Sequence, residues 1–196
     1  MKVSTTAGGA MGRASSWGVT TAEQDRAYPC DALMPGPADR LLRGVDVAAP
    51  ADVVYRWVCQ FRVAPYSYDW IDNRGRRSPR RPLPWCWDLE VGQTFSRIFT
   101  LESFVVGEHL TVRMAPGTGA RAFGDLALTY AVVPVGPERS RLLAVIRGPK
   151  PTNRLVALRS WLLGWGDLLM MRKQLLTFAA LAAREHAERS RAQSSV

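Results

Sequence analysis

The chain has 196 residues, 47% of them hydrophobic, and a formal net charge of +9; this length suits one domain, whose folded body of about 150 residues would bury roughly 68–70% of its unfolded surface. Three widely spaced cysteines, Cys30, Cys59 and Cys86, beside two histidines argue against a disulfide framework or a zinc site and favour a reducing compartment. Only Lys2, Lys150 and Lys173 are lysine among the 26 basic residues, and the arginines are not gathered with aromatics on one element, so the charge does not specify a nucleic-acid partner.

Residues 1–40 lack sustained periodicity and carry Pro29, Pro35 and Pro37, which predicts an extended, partly ordered arm. No apolar run follows Lys2, so no secretory leader is read and a cytoplasmic location is expected. The domain proper is expected over 41–188, with a disordered tail at 189–196. Alternation at 43–48 puts Val45 and Val47 on one face of a first strand. The period then changes: Pro50 suits a first helical turn, Asp52 complements its N-terminus, and Val53, Val54, Trp57, Val58 and Phe61 recur at helical spacing. A second short helix is predicted over 67–72. The loop after it holds Arg74, Arg76, Arg77, Arg80 and Arg81, and reads either as a solvated charged loop or as a contact for an anionic partner.

Strand patterns follow at 95–101, 103–106, 110–115, 122–133 and 140–147, six strands in all with the first. The turns between them are too short for parallel crossovers, so the neighbours are antiparallel. The chain closes in a helix on which Trp161, Gly164, Leu168, Met171, Leu175, Phe178 and Ala182 share one face. Gly164 and Gly166 followed by Asp167 predict a break there, with Asp167 capping the last segment. Arg159, Asp167, Arg172 and Lys173 interrupt the apolar stretch, so a membrane span is not expected.

The run Val45-Asp-Val-Ala-Ala-Pro-Ala-Asp-Val-Val-Tyr-Arg-Trp-Val-Cys-Gln60 resembles the first strand and helix start of the START-like superfamily, whose bacterial members are labelled SRPBCC, or polyketide cyclase/dehydratase and lipid transport, proteins. Tyr66-Ser-Tyr-Asp-Trp-Ile-Asp-Asn73 is similar to an element of one bacterial subgroup. Leu89-Glu-Val-Gly92, Ser140-Arg-Leu-Leu143, Met171-Arg-Lys-Gln-Leu175 and Trp17-Gly-Val-Thr-Thr-Ala-Glu23 match in the same order. Leu83-Pro-Trp-Cys-Trp-Asp88 departs from the subgroup, which has a more polar segment there. The resemblance implies an α+β helix-grip fold: a curved antiparallel sheet wrapped around a long C-terminal helix, with two short helices near the N-terminus. It also implies an internal cavity for a small hydrophobic molecule, no cofactor, and a monomer or homodimer.

Period-2 alternation places Leu126, Leu128, Tyr130 and Val132 on the more apolar, inner face, with Leu110, Val112 and Met114 inward and Arg113 outward. Phe95, Arg97 and Phe99 share a face, so Arg97 is either carried inward to meet a ligand carboxylate or carbonyl, or left outside. Tyr66, Tyr68, Asp69 and Asn73 gather hydrogen-bonding groups at the expected cavity mouth, or pack that segment on the sheet. Trp85 and Trp87 line the entrance or a strand edge. Trp161, Met171, Leu175 and Phe178 supply the helical wall. No nucleophile and base are legible: His109 sits at a turn, His186 in the polar end of the last helix, and no GxSxG elbow or glycine-rich phosphate loop is present. Chemistry would fall to Tyr130, Arg97 or Asp69. Binding of a lipid-like or polyketide-like molecule is therefore expected, the alternative being a cofactor-independent cyclase or dehydratase of secondary metabolism.

Overall fold

The computed structural model describes residues 16–35, 38–68, 75–117, 124–149 and 154–194, without the side chains of 154–169. β-Branched and aromatic runs build a curved sheet from β1 (Ser16–Trp17), β2 (Ala38–Val47), β3 (Thr94–Phe95), β4 (Phe99–Val105), β5 (His109–Met114), β6 (Ala127–Gly136) and β7 (Arg139–Pro149). Their order is β1-β2-β7-β6-β5-β4-β3, antiparallel throughout except for β1 beside β2. Register shifts at Leu101/Ser103 and Pro134/Gly136 mark the irregularities that bend such sheets. Among the described residues four α-helices accompany the strands: α1 (Thr21–Asp25), α2 (Pro29–Leu33), α3 (Ala51–Cys59) and α4 (Arg154–Ser194).

Helix α4 lies along the concave face. Its stripe of Met171, Leu175, Phe178 and Ala182 is buried while Arg172 and Lys173 are exposed. Helix α3 buries Val53, Val54, Trp57 and Val58 into the same core. This is the helix-grip arrangement. No helix among the described residues is long and apolar enough to cross a membrane.

Four details differ from the sequence expectation. Residues 16–35 do not form an extended arm: β1 adds to the sheet edge beside β2, and α1 and α2 fold against the outer face. Thr20 and Glu23 form a reciprocal capping box that starts α1. Tyr28, Cys30, Leu33 and Met34 pack on Leu42, Ala127, Ala131, Leu143 and Val145. Three strand arginines hold this layer: Arg141 pairs with Glu23 at 2.7 Å and donates to the Gly18 carbonyl. Arg40 pairs with Asp31 at 3.2 Å and donates to the carbonyls of Gln24 and Arg26. Arg147 reaches the Met34 carbonyl at 3.3 Å. Close approach of two glycines permits the crossing, since a Cβ on Gly18, at φ +65°, would lie 2.4 Å from the Gly44 carbonyl oxygen.

The first strand starts at Ala38, five residues early, because its pairing with β7 runs unbroken from Ala38↔Pro149 to Val47↔Ser140. The expected strand at 95–101 is cut by a turn at Ser96 and Arg97, both at positive φ. The expected break at Gly164 and Gly166 is absent, and α4 continues into the expected tail, to Ser194. Each glycine lowers helix propensity by about 1 kcal/mol without forbidding the helix. Beyond Tyr68, the short helix expected over 67–72 lies outside the described residues.

Candidate functional site on the inner face

The register of the sheet lays Phe104, Leu110, Tyr130, Ala144 and Arg43 in one row across β4, β5, β6, β7 and β2. On β2, Leu41, Val45 and Val47 belong to the inner core and Leu42 to the outer one, so Arg43 shares the inner face and points beneath α4. It is fully buried, and its Nη1 donates to the Leu42 carbonyl at 2.9 Å. Two strand spacings, about 9.5 Å, separate its Cα from that of Tyr130. Only the methyl of Ala144 stands between them in the row.

Tyr130 is also fully buried, and its hydroxyl donates to Gln174 Oε1 on α4. The amide nitrogen of Gln174 in turn donates to the Pro65 carbonyl, so one side chain ties helix, sheet and the segment after α3 together. Aromatic rings wall this point: Phe61 lies 5.4 Å from the Tyr130 ring and Phe178 6.4 Å, and the Tyr66 ring lies tilted 5.0 Å from Phe178. Further along α4, Trp57 Nε1 donates to Glu185 at 2.7 Å, closing that end.

The opposite direction is apolar. The next row runs Leu101, Val112, Leu128, Ile146 and Leu41. Leu128, Ile146 and nearby Met114 and Met171 keep 4–8% exposure, whereas Arg43, Ala144, Tyr130 and Leu110 have none. The polar row thus lies within an apolar surface, and mostly hydrophobic lining with a few placed polar groups is the composition of small-molecule sites.

Of the residues singled out in the sequence, Leu128, Tyr130, Tyr66, Leu175 and Phe178 come together on this inner side, with Met171 beside them. Tyr68 is half-buried. Arg97 is corrected: it is exposed, because the turn at Ser96 and Arg97 takes it off the face that Phe95 and Phe99 share. Trp85 and Trp87 stand on a 3₁₀ helix (Pro84–Trp87), not a strand edge, with Arg62 over the first ring and Arg56 over the second. Asp69, Asn73 and the side chain of Trp161 lie outside the described residues. Sequence reasoning missed Arg43, Gln174 and Phe61.

Other reactive groups lie apart or are quenched. Burial pushes the thiols of Cys59 and Cys86 up to about 12 and about 11, which removes them as nucleophiles. Burial also holds the His109 imidazole below its ordinary value, and that residue lines a separate pocket of about 370 Å³ between the N-terminal layer and the ends of β5 and β6. That pocket holds none of the inner-row residues.

No family model matches the chain, and no curated protein matches it. Solved structures do. A point mutant of norcoclaurine synthase from Thalictrum flavum, in complex with a transition-state analogue, is 16% identical with a TM-score of 0.45, over 78% of this chain and 98% of that one. A protein from Nitrosospira multiformis is 15% identical with a TM-score of 0.47, over 78% and 99%. The di-domain ARO/CYC StfQ of the steffimycin biosynthetic pathway is 12% identical with a TM-score of 0.45, and this chain spans about half of its length.

Proposed function

We propose that the inner face binds a small hydrophobic molecule bearing a carbonyl or carboxylate, with that oxygen held between Arg43 and Tyr130 and the apolar body along Leu128, Ile146 and Met171. One observation carries the reading: a fully buried arginine in register with a buried tyrosine across an alanine. Burying a guanidinium costs several kcal/mol, and its replacement by an apolar side chain of similar volume is often neutral or stabilising. A buried guanidinium at this place in the row can serve a ligand oxygen alongside the protein groups it contacts. Its planar fork suits a carboxylate or a polarised carbonyl.

The test is Arg43→Met. Small molecules extracted from the native protein and identified by mass spectrometry should be lost from the variant, with its circular dichroism unchanged. Retention of the same ligand by a well-folded Arg43→Met protein would sink the proposal.

The cyclase or dehydratase alternative uses the same pair: Arg43 polarising a carbonyl and Tyr130 returning a proton to an oxygen that leaves as water. Binding alone is favoured because the Tyr130 proton is already donated to Gln174. Loss of water or ring closure in the extracted molecule, dependent on wild-type protein and slowed about a hundredfold in Tyr130→Phe, would reverse that preference.

A further inference from the structure

On the surface, the 3₁₀ helix Pro84–Trp87 leaves Trp85 53% exposed, and the turn between β3 and β4 leaves Ile98 37% exposed. Arg62 joins the two: its guanidinium lies 5.4 Å over the Trp85 ring and donates to the carbonyls of Trp85 at 3.3 Å and Asp88 at 3.2 Å. The Arg62 carbonyl in turn accepts the Ser96 amide at 3.1 Å. That turn presents Arg97 and Ile98 to solvent through two consecutive non-glycine residues at φ +42° and +66°, a conformation unfavourable for both and typical of functional surfaces. Arg80 and Arg81 are exposed and precede Trp85 by four or five residues, so they lie within about 18 Å of it. Exposed Val91, with Asp88 and Glu90, forms the margin.

We propose that this face docks on an anionic lipid surface, with Trp85 and Ile98 entering the headgroup layer and Arg62, Arg80, Arg81 and Arg97 meeting lipid phosphates and carboxylates. Tryptophan is favoured at such interfaces, arginine stems lie along apolar surface while their heads stay polar, and anionic leaflets attract clustered basic residues. The chain's net charge of +9 adds long-range attraction. Exposed Ile98 and Val91 favour lipid over nucleic acid, which gains from successive stacking rings that this face does not offer. The proposal is independent of what the inner face binds.

The test is flotation of the full chain with vesicles of phosphatidylcholine alone and of phosphatidylcholine mixed with phosphatidylserine. Only the mixed vesicles should carry the protein, and salt should release it. Arg80→Gln, Arg81→Gln and Arg97→Gln should each lower partitioning about fivefold. Trp85→Phe should sharply reduce quenching of tryptophan fluorescence by bromolipids. These residues are exposed, so unchanged circular dichroism confirms that each variant is folded. Arg139→Gln, an exposed arginine on β7, should have a smaller effect. Failure to bind the mixed vesicles, equal loss with Arg139→Gln, or displacement from vesicles by RNA would each overturn the proposal.

Discussion

The two faces of this sheet are made by the same strands and closed by opposite means. Beneath α4 the inner face is covered through an apolar stripe and interlocked rings, Phe61, Tyr66, Tyr130 and Phe178, with polar contacts limited to a few side chains. The outer face offers smaller residues, Ala127, Ala131, Leu143 and Val145, and is covered by a short segment whose placement depends on Arg40, Arg141 and Arg147 reaching its carbonyls and carboxylates. Apolar closure is spread over many contacts and fails globally; polar closure is concentrated in a few bonds and fails locally. Thr129 belongs to the second kind, since its hydroxyl accepts the Cys30 amide at 3.0 Å and lies 2.8 Å from Thr111 Oγ1.

The largest effect should come from the inner side. Phe178→Ala removes a fully buried ring and should cost about 3–5 kcal/mol, read from the denaturation midpoint. A loss below 1 kcal/mol, on the scale of a tolerated surface change, would show that α4 is not the principal lid. On the outer side, Arg141→Met removes a charged hydrogen-bonded pair with Glu23 and should cost about 1.5–3 kcal/mol. Hydrogen exchange should quicken in residues 16–35 and remain slow in 171–185; uniform quickening would erase the distinction between the faces.

The smallest effect is a pH dependence. The hydrogen bond from Arg141 holds the Glu23 carboxyl below its ordinary value of 4.5, with burial opposing. A group lowered by folding contributes stability above its unfolded value and loses that contribution as pH falls through the folded one. Pepsin should therefore cleave within 16–35 increasingly as the solution is acidified below 4.5, and Glu23→Gln should flatten that dependence. Cleavage that rises equally in both proteins would place the acid sensitivity elsewhere.

Much of the inner side was legible because its signal is periodic. The 3–4 spacing of Met171, Leu175, Phe178 and Ala182 identified the covering helix, and alternation placed Leu128 and Tyr130 on the buried face. Arg43 shares parity with Val45 and Val47, so the same rule contained it, but a charged residue at the start of the visible alternation reads as a boundary. Arg97 failed for the converse reason: alternation presumes an unbroken strand, and nothing about Ser96 and Arg97 announces a left-handed turn. The outer layer was missed because its cover is too short for periodicity. Thr20 and Glu23 stand at capping-box spacing, a sign the sequence held beside the resemblance at Trp17–Glu23.

The pairing of β2 with β7 has a consequence for synthesis. Its partner residues stand about a hundred positions apart, so β2 emerges from the ribosome long before β7 exists. At about 5–20 residues per second the delay is about 5–20 s. During it, Leu41, Leu42, Val45 and Val47 form a strand-prone segment whose long partner is missing and beside which only the two residues of β1 can pair. Asp39, Arg40, Arg43 and Asp46 interleave that segment with charge, the pattern that keeps a waiting strand from joining its neighbours on a polysome. The arginine that ends beneath α4 thus begins as a guard against aggregation of the nascent chain.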